Sequence, residues 1–102
     1  MLTPEKMFEK AKQMYQLQSK ARKIKKELEN THIEADTEGV IVTINGEQIV
    51  IKVEISDEAM QNKKNLEKNL EKSFNKAVKK SQEIGAKLMK DVMGDSGFPG
   101  LN

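Results

Sequence analysis

A chain of 102 residues holds one domain with one modest core. Charged residues make up 33% of it against a usual quarter, so the fold must be thin, elongated or completed by a second copy. With no Cys, disulfide scaffolds, thiolate metal sites and cysteine nucleophiles are excluded together. No apolar run reaches the roughly 18 residues that would span a bilayer, and the N-terminus carries no signal-like apolar stretch. A cytoplasmic protein without a membrane partner is expected.

The net charge of +2 conceals an uneven distribution. Residues 1–30 hold 8 basic and 4 acidic side chains, residues 31–60 hold 1 and 7, and residues 61–102 hold 9 and 5. Two basic ends flank an acidic middle, and such asymmetry points to a polyanionic partner for the ends. An AT-rich gene would also favour lysine, but it would not decide where the lysines sit.

The first helix begins at Thr3, a capping residue, with Pro4 suited to the first helical position and Glu5 to the positive end of the dipole. No Gly or Pro interrupts it before about Asn30. Met7, Met14, Ala21 and Leu28 recur every seven residues, with Leu17 and Ile24 at the intervening position, which predicts a heptad seam broken at Lys10. A helix over 3–30 is roughly 42 Å long, more than a small sheet can cover. Part of the seam therefore needs another helix, so these six residues are the expected dimer interface.

Three strands are predicted next. His32 to Asp36 leads into a turn at Thr37-Glu38-Gly39, then come Val40 to Ile44 and Gln48 to Ile55. Asn45-Gly46 between the last two predicts a type I′ hairpin turn, because both residues tolerate positive φ. Val40, Val42 and Ile44 share one face, and Ile49, Ile51, Val53 and Ile55 share one face of the next strand; Ile41 and Val50 fall on the opposite faces. Ser56-Asp57-Glu58 offers a cap for a short helical piece.

A second long helix is predicted from about Asn62 to Val92. Lys68, Lys72, Lys76, Lys79, Lys80, Lys87 and Lys90 fall within an arc of about 120°. Leu66, Leu70, Phe74, Ala77, Val78, Ile84, Leu88, Met89 and Val92 occupy the other side. Like charges four apart repel, and a face that merely keeps a helix in water usually mixes signs; only Glu83 interrupts this one. The expected fold is α+β, a long N-terminal helix, a three-stranded antiparallel sheet and a long C-terminal helix. A single domain over 1–93 is followed by a Gly- and Pro-containing tail over 94–102, expected to be flexible.

No active site can be assembled. His32 is the single His, at a helix-to-strand junction, and no Ser-His-Asp or metal set surrounds it. Glu34, Asp36 and Glu38 alternate along a strand, as a charged edge that discourages strand addition would. No glycine arrangement makes a phosphate-binding loop. No enzyme activity, cofactor, metal or small-molecule substrate is expected.

The order of elements, with Val42-Thr43-Ile44-Asn45-Gly46, Val53-Glu54-Ile55-Ser56-Asp57, Leu66-Glu67-Lys68-Asn69-Leu70, Phe74-Asn75-Lys76-Ala77 and the Phe98-Pro99-Gly100-Leu101 tail, resembles the YbaB/EbfC family. The resemblance covers nearly the whole chain. It implies an intertwined homodimer whose sheets join and whose helix pairs project like tweezers. It also implies a nucleoid protein that binds double-stranded DNA with weak sequence preference. The family tends to carry a basic pair after the Phe-Asn-x-Ala stretch, and here that pair is Lys79 and Lys80. Lysine acts as a point charge, so phosphate contact is favoured over bidentate base reading. The expected DNA-binding residues are Arg22, Lys23 and Lys26 on the first helix and Lys72, Lys76, Lys79 and Lys80 on the second. The alternative is a protein-interaction adaptor that recruits its partner through the heptad helix.

Overall fold

The computed structural model describes residues 3–94. Helix α1 spans Pro4–Glu29, strands β1, β2 and β3 span His32–Thr37, Val40–Asn45 and Val50–Ile55, and helix α2 spans Lys63–Met93. A 3₁₀ turn at Ala59–Gln61 precedes α2. The predicted tail lies outside the described residues apart from its first position, Gly94, which caps α2 with φ 71°.

The helix starts follow the sequence cues. The Thr3 hydroxyl accepts the Lys6 amide at 3.3 Å, and the Asn62 side chain accepts the Asn65 amide at 3.0 Å. Each satisfies one of the amides that a helix start leaves unpaired. Ser56 accepts the Ala59 amide at 3.1 Å, so the short helical piece is capped where its residue types suggested.

The sheet is an antiparallel meander in the order β1-β2-β3. The β1–β2 turn lies where expected, at Glu38-Gly39, but the β2–β3 turn differs from expectation. The two-residue turn with positive φ at both positions joins β1 to β2, at Glu38 (48°) and Gly39 (85°). Asn45-Gly46 does not form a type I′ turn, and Gly46 does not adopt positive φ. Instead the Asn45 side chain accepts amides from Glu47 at 2.9 Å and Ile49 at 3.1 Å, and Gln48 takes the positive φ, 65°. The local hydrogen-bonding habit of Asn outweighs the dipeptide's turn preference. Gly46 is needed for a different reason. Its amide donates to the Leu28 carbonyl at 2.8 Å, and a Cβ there would lie 2.8 Å from that oxygen.

The strand register also departs from simple alternation. Ile44 pairs with Val50 and Thr43 with Lys52, so Ile51 is the extra residue of a bulge. The bulge brings Val50, with Val53 and Ile55, into line with Ile44, Val42 and Val40 on the face that α2 packs against. Val50 therefore does not fall on the opposite face, as strict alternation required.

Helix α2 lies over β1 and β2. Ile33, Ala35, Val42, Ile44 and Ala77 form the buried cluster, with Phe74 and Val78 packed against it. Ser73, Ala77 and Ser81 are buried at four-residue spacing along α2, where small side chains let the helix approach the sheet closely. The two serines donate to backbone carbonyls, Ser73 to Val40 at 2.8 Å and Ser81 to Gly46 at 3.1 Å. Buried hydroxyls are thus satisfied, as burial demands.

This core is narrow. Val50, Val53 and Ile55 remain 47%, 41% and 36% exposed because α2 does not extend over β3. Every residue from Thr3 to Lys23 is exposed, and Ile24 is the buried residue of α1. The chain measures 70 × 24 × 21 Å with a radius of gyration of 20.0 Å, where a compact chain of this length gives about 13 Å.

Candidate nucleic-acid interface

Positive charge reaches the surface on two elements. On α2, Lys72, Lys76, Lys79 and Lys80 are all exposed, on the side of the helix that carries the sequence's lysine arc. The helical repeat brings them together over about two turns. The acids within α2 lie mainly off this arc, so the lysines keep their field. Among the described residues the one ion pair joins Lys52 and Glu54 on β3, at 3.0 Å.

The four lysines are not equivalent. Lys76 Nζ lies 3.5 Å from the Asp36 carbonyl and 3.4 Å from Thr37 Oγ1. Lys80 Nζ donates to the Glu34 carbonyl at 3.1 Å. Both therefore lean over β1, the edge strand beside α2, while Lys72 and Lys79 make no such contact. Helical spacing does not distinguish them, because a lysine's four methylenes let its ammonium group reach well away from its position on the helix. The bonds are at the surface, where they exchange readily with water, so both ammonium groups stay accessible.

On α1, Arg22, Lys23 and Lys26 are exposed. They lie near the end of the helix that meets the rest of the fold, where the Leu28 side chain comes 3.9 Å from the Cβ position of Gly85 on α2. By helical arc Lys23 stands about 100° from Arg22 and about 60° from Lys26, so Lys26 lies between the other two.

The six residues of the heptad seam divide as well. Ile24 is buried within the single chain, and the half-buried Leu28 lies beside Gly46 of the β2–β3 connection and Gly85 of α2. Met7, Met14, Leu17 and Ala21 are exposed along the projecting part of α1. One seam thus fastens α1 to its own fold at one end and runs out uncovered at the other.

Nothing in the described residues resembles a catalytic or metal centre. No group of three or more His, Cys, Asp or Glu side chains is placed to hold a metal ion. A polar hollow of about 370 Å³ lies between Glu38, Glu58, Ala59, Asn62, Asn65 and Asn69. It holds no nucleophile beside a base. No helix among the described residues is long and apolar enough to cross a membrane.

Comparison with known proteins agrees with this architecture. The model of the YbaB/EbfC DNA-binding family matches residues 4–96. A nucleoid-associated protein of Prochlorococcus marinus is 38% identical over 91 residues, covering 86% of this chain and 72% of that protein. The crystal structure of an uncharacterized protein from Helicobacter pylori superimposes with a TM-score of 0.71 at 17% identity, over 92% of this chain and 100% of the other. With a family match across both helices and the sheet between them, the chain belongs to the YbaB/EbfC DNA-binding family.

Proposed function

We propose that this protein is a nucleoid-associated protein that binds double-stranded DNA as a homodimer, mainly through phosphate contacts and with weak sequence preference. The observation that carries the reading is the exposed lysine face of α2, in a chain of a DNA-binding family. Lysines on DNA displace condensed counterions, so affinity falls as salt rises, with a slope of about −0.9 per phosphate contact. Lys72, Lys76, Lys79 and Lys80 supply these contacts, with Arg22, Lys23 and Lys26 adding to them from α1. Their cations fix position on the duplex and leave the base edges largely unread. No chemical step is involved.

A second copy of the chain is the natural cover for what the single chain leaves open. Val50, Val53 and Ile55 continue the core face of the sheet without a lid, and β3 is the edge strand that α2 leaves uncovered. The opposite edge strand, β1, carries Glu34 and Asp36 and is overlain by Lys76 and Lys80. The two charges of β3, Lys52 and Glu54, pair with each other, whereas β1 carries two like charges beneath two lysines, so the second copy adds at the β3 side. The exposed part of the α1 seam, Met7, Met14, Leu17 and Ala21, extends the same association. A dimer doubles the lysine face and gives it two regions of contact on the duplex.

The test is titration of two duplexes of unrelated sequence at several salt concentrations. Similar affinities with a steep, linear fall of log K against log salt support the reading. A strong preference for one sequence, or an affinity indifferent to salt, contradicts it.

A further inference from the structure

Beside its apolar seam, α1 carries a second exposed stripe. Phe8, Lys12, Tyr15, Ser19, Arg22 and Lys26 follow one another at spacings of four and three residues. That spacing sets them in one line along the helix, within about 80° of arc. All six are exposed, with Phe8 at 73% and Tyr15 at 67%. The line is turned by about 100° or more from Leu17 and Met14 on the seam, so an interface along the seam leaves it free. It contains three cations and no acid; Glu5 and Glu29 border it, each about 20° beyond an edge, and Glu9 and Glu27 lie about 100° round the helix from its middle.

We propose that this stripe binds unpaired bases of single-stranded DNA, with Phe8 and Tyr15 as stacking surfaces and Lys12, Arg22 and Lys26 on the neighbouring phosphates. The proposal rests on the DNA-binding reading above and adds a second kind of contact to it. Exposed aromatic rings interleaved with cations are the chemistry that single strands select, since every base has a π face and every linkage a charge. The two rings are seven residues apart, about 10.5 Å along the helix axis. That distance corresponds to about three stacked steps of one strand. Lys12 stands between the rings, where the intervening phosphates would pass. A partner helix is the competing occupant, but Lys12 between the rings and Arg22 and Lys26 beyond them favour a polyanion over another lysine-rich helix of this kind.

Tyr15 makes the contact directly observable. It is the single Tyr in a chain without Trp, so it dominates the intrinsic fluorescence. Titration of the full-length protein with oligo(dT) should quench its emission, whereas contact through lysines alone leaves it nearly unchanged. The Phe8→Ala/Tyr15→Ala variant should lose at least tenfold in affinity for labelled oligo(dT), with much less change on duplex and an unaltered salt slope. The Phe8→Tyr/Tyr15→Phe variant should retain binding. Unquenched Tyr15 with wild-type affinity in the alanine variant overturns the proposal while the duplex reading stands. Equal losses on duplex and single strand also overturn it, and so does a fall from dimer to monomer in sedimentation, which assigns the rings to self-association. A wild-type protein that binds neither form of DNA removes both readings.

Discussion

Gly46 sits so close to the end of α1 that its neighbours there include the Leu28 backbone as well as the Leu28 side chain, and the backbone cannot turn aside. Added bulk must displace α1 or open the hydrogen bond to Leu28. Gly46→Val should therefore destabilise the fold by about 1–3 kcal/mol, and Gly46→Ala by a comparable amount although its φ is unrestricted. Equilibrium denaturation in urea checks this, and an unchanged midpoint for Gly46→Ala would contradict the close approach. Asn45→Ala should cost about 1–2 kcal/mol, because two amides of the β2–β3 connection lose their acceptor. The sequence marked Asn45-Gly46 as a turn correctly but assigned the wrong cause. A dipeptide preference carries no information about a helix end packed against it from 18 residues away. Ser73 and Ser81 were illegible for a related reason, since polar types on the apolar side of α2 read as interruptions until their carbonyl partners are known.

Among elements, the helices were the most legible, because caps, uninterrupted spacing and charge segregation all act locally. Strand β3 was legible as a strand and in the shared face of Val53 and Ile55, but the bulged residue Ile51 shifts the phase before it and brings Val50 onto that face. That shift matters for association. Val50, Val53 and Ile55 become a continuation of the core, and a charge placed there should oppose its cover. Val53→Lys should shift the protein toward monomer in sedimentation while leaving its helical circular dichroism in place; retention of the dimer would move the interface off β3. The seam of α1 behaves differently along its length. Leu17→Asp lies on the exposed part and should weaken self-association with little loss of monomer stability. Ile24→Asp places a charge in a buried position and should destabilise the chain itself, by several kcal/mol. Thermal unfolding at low protein concentration separates the two, and equal effects would mean that the seam serves one purpose throughout.

At the scale of the molecule, the 70 Å length and the uncovered apolar column belong together. A single chain with so narrow a core has little to stabilise it, so folding and association should be coupled, and melting temperature should rise with protein concentration. The expectation of a second copy comes from the length of α1 alone, while the surface proposed to receive it depends on where α2 stops across the sheet. The lysine face shows the same split: its existence follows from helical spacing, but the lean of Lys76 and Lys80 toward β1 depends on the fold. The central claim is that this face holds DNA by its phosphates. Its most direct test compares wild type with the Lys76→Ala/Lys79→Ala/Lys80→Ala variant on two unrelated duplexes across a range of salt. In a dimer each position removes up to two contacts, so the salt slope should fall by as much as about 5, with equal loss of affinity on both duplexes. An intact dimer that binds both duplexes as tightly as wild type, with the same slope, would contradict the account.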